Sequence, residues 1–189
     1  MNYEGRMRLH TLLLPALLGL YGCDGGMKVV VPDSGPPLDS AGCPTAGNGD
    51  LDVVGLSVGG LVLPQYYSAV SAVLGAGSCS TATNKSTCVW AAVGQTWTFT
   101  DCDEDGVPDA QGVCDIPNQD ARLVPPYNGR TADGLGLGVS PACWESALGT
   151  PTSTPGNSDV WTWNTSMGVS VGFSGSGAET IDLGWAMDG

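Results

Sequence analysis

Asp101-Cys102-Asp103-Glu104-Asp105-Gly106-Val107-Pro108-Asp109 places five carboxylates within nine residues, with no Lys or Arg among them. Bare, such groups repel one another; a hard divalent cation converts the repulsion into coordination. The alternate spacing suits this chemistry, because a loop that curls around an ion turns its first, third and fifth residues inward. A glycine at the sixth place allows the sharp turn, the seventh residue offers a carbonyl, and the ninth binds directly or through water. On that template Asp101, Asp103, Asp105 and Asp109 supply side-chain oxygens and Val107 its backbone oxygen.

The segment resembles the calcium loop of thrombospondin type 3 repeats, D-x-D-x-D-G-x-x-D-x-x-D-x-C. The matching residues are Asp101, Asp103, Asp105, Gly106, Asp109 and Cys114, within an acidic loop spanning 101–115. The resemblance covers about twenty residues and one unit, and it implies a calcium-ordered loop rather than an activity. Gly112 stands at the twelfth place, where the family has an acid. With that ligand missing, the expected affinity lies at the weak extracellular end, ~10⁻⁴ to 10⁻³ M. The competing reading is an acidic, solvated loop that a Cys102–Cys114 bridge holds without metal.

The compartment follows from the N-terminus. Arg6 and Arg8 precede the apolar run Leu12-Leu13-Leu14-Pro15-Ala16-Leu17-Leu18-Gly19-Leu20. The run is too short to span a bilayer, and its charged flank is that of an export signal. Leu20-Tyr21-Gly22-Cys23 then resembles the lipobox of bacterial lipoproteins. The resemblance implies a signal peptide over 1–22, cleavage before Cys23, acylation of its thiol and amino end, and attachment to a lipid bilayer in the cell envelope, with the inner or outer membrane left open. Stable anchoring requires more than one acyl chain. Setting Cys23 aside leaves Cys43, Cys79, Cys88, Cys102, Cys114 and Cys143, an even set that an oxidising compartment can pair in 15 ways.

Several chemistries are excluded or weakened. Six Lys and Arg against 19 Asp and Glu give a net charge of -13, which excludes a nucleic-acid backbone as partner. The only histidine, His10, falls within the signal peptide. A serine hydrolase therefore lacks its base, and Gly55-Leu56-Ser57-Val58-Gly59 and Gly168-Val169-Ser170-Val171-Gly172 read as coincidental matches to the nucleophile elbow. Histidine-containing zinc sites fall with it. Glu145 and Glu179 are the carboxylate pair left for an acid-residue glycan hydrolase. Trp161 and Trp163, two apart in an alternating run, share one strand face. They either fill a core or stack on sugars, the latter being the basis of a carbohydrate-binding reading.

The elements that would position these groups are short. Residues 23–42 are rich in Gly, Pro, Asp and Ser and read as a flexible lipidated stalk, with Val29-Val30-Val31 as an alternative strand. A β-rich domain follows over 43–189. Val54, Leu56 and Val58 alternate as in a strand; Tyr66, Val70, Val73 and Leu74 lie at helical spacing after Pro64, and Gly75 stops that helix. Strand patterns recur at Thr96-Trp97-Thr98-Phe99-Thr100, at Leu135, Leu137 and Val139, from Trp161 through Met167 to Phe173, and from Ile181 through Trp185 to Met187. Ser174-Gly175-Ser176-Gly177 suits a hairpin turn. The expectation is a mainly β, disulfide-stapled, antiparallel sandwich-like domain with one short helix. It would serve as a non-enzymatic, calcium-stabilised lipoprotein domain that contacts an envelope protein or a glycan.

Overall fold

Period-two alternation dictates the main sheet. In the segment Gln95–Thr100, Gln95, Trp97 and Phe99 are buried while Thr96, Thr98 and Thr100 stay on the opposite, half-buried face. The computed structural model describes residues 36–109, 120–154, 159–163, 168–175 and 177–184. Among these, three short strands, β1 (Leu51–Asp52), β2 (Ser57–Val58) and β3 (Leu61–Val62), form a small antiparallel sheet. Helix α1 spans Tyr67–Leu74 and helix α2 spans Pro141–Leu148. The remaining strands are β4 (Ser78–Ala82), β5 (Lys85–Trp90), β6 (Gln95–Thr100), β7 (Asp120–Leu123), β8 (Val160–Trp163), β9 (Val169–Ser174) and β10 (Gly177–Gly184). They build a seven-stranded antiparallel sheet in the order β4-β5-β6-β7-β10-β9-β8.

Register aligns the apolar residues on one face. Cys88 pairs with Trp97, Trp97 with Ala121, Ala121 with Leu183, Leu183 with Val169 and Val169 with Trp163, all of them buried. A one-residue slip would turn that whole row to solvent, so burial itself fixes the pairing. The helices and the small sheet contribute Val70, Trp144, Leu51, Val58 and Leu61 to the same core. Tyr67 of α1 meets Phe99 edge-on at 5.5 Å and Trp90 at 6.1 Å, while Trp144 of α2 lies 6.2 Å from Trp163. Full burial of each large side chain contributes about 1.5–3 kcal/mol, so these rings and the buried aliphatic residues around them stabilise the domain together.

Both helices end on a glycine in the left-handed region, Gly75 at φ 81° and Gly149 at φ 80°, as the sequence requires of a stop without a Cβ. Each glycine's carbonyl accepts an indole N–H from the sheet: Trp90 donates to Gly75 at 2.9 Å, and Trp163 to Gly149 at 2.8 Å. Two disulfides staple the domain. Cys79–Cys88 joins opposed residues of β4 and β5, and Cys43–Cys143 ties the start of the domain to α2 across 100 residues. Cys102 is also disulfide-bonded, to a partner outside the described residues.

Several sequence expectations need correction. The run 54–58 is not one strand: the Asp52 carboxylate accepts the Val54 and Gly55 N–H groups, bending the chain so that only Ser57 and Val58 pair. Residues 135–139 bury Leu135 and Val139 but form no strand, because Gly134 and Gly138 at φ 89° and 79° interrupt the extended repeat. The helix expected after Pro64 is α1, yet Val73 on it is 59% exposed. A second helix, α2, was not anticipated; Ser140-Pro141 before it and Gly149 after it carry the signal. The aromatic run from Trp161 to Phe173 breaks into the separate strands β8 and β9, and the Ser174–Gly177 turn joins β9 to β10 as expected. Residues 36–42, placed in the stalk, are exposed and form a local turn. Asp39 accepts the Ala41 and Cys43 N–H groups, and Thr45 donates to the Pro37 carbonyl. Cys23, Val29-Val30-Val31, Gly112, Cys114, Met167, Trp185 and Met187 lie outside the described residues.

Candidate metal centre

Asp101 follows the last residue of β6, so the sheet carries it to the end of the strand and the acidic loop begins where the ladder stops. Two backbone bonds close the base of the loop: the Asp101 N–H donates to the Asn84 carbonyl and the Asp109 N–H to the Thr100 carbonyl, both at 2.9 Å. Asn84 belongs to the tight turn between β4 and β5, where Thr83 and Asn84 take φ of 45° and 53°. This backbone suits the twist of a two-residue hairpin.

Asp101 is fully buried. Its Oδ2 accepts from the Thr81 hydroxyl at 2.7 Å, the Ser86 hydroxyl at 3.0 Å and the Gly106 N–H at 3.2 Å. Its Oδ1 is buried with no hydrogen-bond partner among the described residues. A carboxylate with one oxygen triply served and the other orphaned is unusual, because an unpaired buried acceptor forfeits its hydration. One oxygen from each of Asp101, Asp103 and Asp105 lies within 4.8 Å of the others, and Asp103 and Asp105 are exposed. Each of the exposed pair also bends the backbone: Asp103 accepts the Asp105 N–H at 3.3 Å and Asp105 the Val107 N–H at 2.8 Å. Gly106, at φ 89°, makes the turn that brings its N–H back to Asp101.

The electrostatics follow from these contacts. The Thr81 hydroxyl, with Ser86 and the Gly106 N–H, holds the Asp101 carboxyl below its ordinary value against the opposing effect of burial. For Asp103 the Asp105 N–H pulls downward, but desolvation, the Asp105 and Asp109 carboxylates and a side-chain contact with the Asp101 carboxylate outweigh it and push the group up. Three oxygens in this arrangement fit a hard cation, the donor set being all-oxygen and anionic.

The structure thus brings together Asp101, Asp103 and Asp105. Asp109 stands outside that group, its Oδ2 accepting the Cys102 N–H at 2.6 Å, and Val107 is 59% exposed. Sequence reasoning missed Thr81 and Ser86, which lie 20 and 15 residues before Asp101 and reach it only because the β4–β5 hairpin pairs with β6.

No family model, curated protein or solved structure matches the chain. The site therefore stands on its own geometry.

Trp163 is in the core, and Trp161 packs against it with its ring 5.3 Å from Phe173. Trp161 and Trp163 share the core-facing side of β8, Trp163 buried and Trp161 half-buried. Glu145 projects from α2 and Glu179 from β10, both exposed on separate elements. Ser57 and Ser170 sit in strands, without the strand-turn-helix a nucleophile elbow needs.

Proposed function

We propose that this chain is an extracytoplasmic lipoprotein, held to a bilayer through acylated Cys23, whose β domain is ordered by a weakly bound calcium ion. Its role is non-enzymatic adhesion or contact with other components of the envelope. The observation that carries the cation is the orphaned, buried Oδ1 of Asp101 beside the Asp103 and Asp105 carboxylates. Calcium accepts several oxygens at 2.3–2.6 Å in flexible geometry, which suits a loop with carboxylates at alternate positions. Asp101, Asp103 and Asp105 would bind first, with Asp109 and the Val107 carbonyl completing the shell directly or through water.

The compartment is supported by the stapling: Cys43–Cys143, Cys79–Cys88 and the bonded Cys102 belong in an oxidising environment. Lipidation rests on the lipobox-like Leu20-Tyr21-Gly22-Cys23.

Calorimetric titration tests the ion. Calcium at millimolar concentration should release or absorb heat and raise Tm, and Asp103→Asn with Asp105→Asn should abolish both effects. Absence of heat and of any Tm rise at several millimolar calcium rejects the cation. Labelled palmitate entering the wild-type chain but not Cys23→Ser tests the anchor.

A further inference from the structure

The described residues hold the Asp101 carboxylate through one oxygen. Its Oδ2 accepts from hydroxyls on two strands and from the Gly106 N–H, while its buried Oδ1 has no hydrogen-bond partner among the described residues. The two hydroxyls come from residues directly opposed across the β4–β5 hairpin, Thr81 and Ser86, whose oxygens lie 2.6 Å apart. Cys79 and Cys88 are the opposed pair two residues further along, on the same face, so their disulfide fixes the register that sets Thr81 against Ser86. The hairpin also reaches Asp101 through backbone, where the Asn84 carbonyl accepts the Asp101 N–H.

Two hydroxyls carry two hydrogens, yet Thr81, Ser86 and Asp101 make three oxygen–oxygen contacts, at 2.6, 2.7 and 3.0 Å. A carboxylate adds no hydrogen of its own. The shorter contact with Oδ2 belongs to Thr81, so Thr81 donates there and Ser86 divides its hydrogen between the Thr81 oxygen and Oδ2. With the Gly106 N–H as a further donor, Oδ2 has no lone pair left for a metal ion, and Oδ1 keeps its own. A carboxylate that only tied the loop to the hairpin would use both oxygens. Saturating one and leaving the other bare and buried is how outer hydrogen bonds orient a metal ligand. The Asp103 carboxylate meets that of Asp101, acceptor against acceptor, a contact that a cation between them relieves.

We infer that Thr81 and Ser86 are positioning residues of the cation site: their hydroxyls pin Oδ2 and make Asp101 a ligand through Oδ1 alone, with Thr81 the stronger of the two. The inference rests on the calcium reading and deepens it, assigning part of the site to a hairpin 15 to 20 residues upstream of Asp101.

Calorimetric titration of the full chain with calcium chloride tests it, together with terbium(III) decay times in H₂O and D₂O, which count the waters on the bound ion. Thr81→Val keeps the side-chain shape, deletes the hydroxyl and should weaken calcium binding about tenfold or more. Thr81→Ser, which restores the hydroxyl, should bind within about twofold of wild type. Ser86→Ala should fall between the two, and it gives a second decision if the valine disturbs the hairpin. In the double variant Thr81→Val with Ser86→Ala the freed Oδ2 joins the ion, so bound terbium should carry about one water fewer than in wild type. Hydroxyls that only brace the hairpin would lower Tm in chelator and leave the calcium dissociation constant unchanged, and that result overturns the inference. Equal losses in Thr81→Val and Thr81→Ser, or an unchanged water count in the double variant, overturn it as well. A wild-type chain that binds no calcium removes the cation reading and this inference with it.

Discussion

Trp163 donates its indole N–H to the carbonyl of Gly149 at 2.8 Å, so a strand of the main sheet caps the C-terminal end of the helix packed on it. Trp90 and Gly75 repeat the arrangement at the other helix. A helix end leaves carbonyls without intrahelical partners, and here a buried ring supplies the donor. The tryptophans therefore act as bolts between layers as well as core volume.

Replacing Trp163 by Phe keeps an aromatic ring but deletes the donor. The unpaired Gly149 carbonyl should lower unfolding free energy by about 1–3 kcal/mol. Trp163→Ala, which also opens a cavity, should cost about 3–5 kcal/mol. Urea unfolding followed by fluorescence reads both, and a Trp163→Phe variant as stable as wild type would show that the hydrogen bond contributes nothing separate from volume.

The two disulfides whose halves both lie among the described residues should differ in worth. Chain-entropy scaling gives about 4.7 kcal/mol for the Cys43–Cys143 separation of 100 residues and roughly 2.6 kcal/mol for the Cys79–Cys88 separation of 9. Replacing both cysteines of the long-range pair by Ala should therefore destabilise the domain by about 2 kcal/mol more than the same change in the hairpin pair. Comparison of the two double variants by chemical unfolding checks the ordering.

Asp101 and Asp120 should move stability with pH in opposite senses. The Asp101 carboxyl is held below the ordinary 3.8, so its contribution is present above that pH and is lost as pH falls through the lower folded value. Asp120 is pushed up, chiefly by desolvation against the Thr98 hydroxyl, so its contribution is full below 3.8 and is lost as pH rises through the higher folded value. In chelator, Asp101→Asn should lower Tm near neutrality and converge on wild type in strong acid. Asp120→Asn should raise Tm near neutrality and lose that advantage below about pH 3.5. Scanning calorimetry across this range reads both slopes, and parallel curves for the two variants would contradict the assignment.

Local rules made part of this fold legible. The alternation around Trp97 and Phe99 set which face of β6 is buried, Pro64 and Gly75 bracketed α1, and the Ser174–Gly177 turn joined β9 to β10. Pattern reading failed where side chains or glycines bent the backbone against it. Asp52 pulls two N–H groups into a turn within the alternating run 54–58, and Gly134 and Gly138 interrupt the one at 135–139. The acidic cluster was visible from spacing, but the buried state of Asp101 was not, because Thr81 and Ser86 come from another hairpin. Likewise Trp161 and Trp163 shared a face in either reading, and only the packing of Trp144 from α2 against Trp163 put the latter in the core.

The bridge between residues 43 and 143 has a mechanical consequence. A pull on the chain from its N-terminal side reaches sulfur at Cys43 and crosses directly to α2. The strands from β1 to β7 lie inside the covalent ring so formed and carry none of that tension. Stretching would peel only what lies outside the ring, so the acidic loop and the hairpin that supports it keep their shape under load.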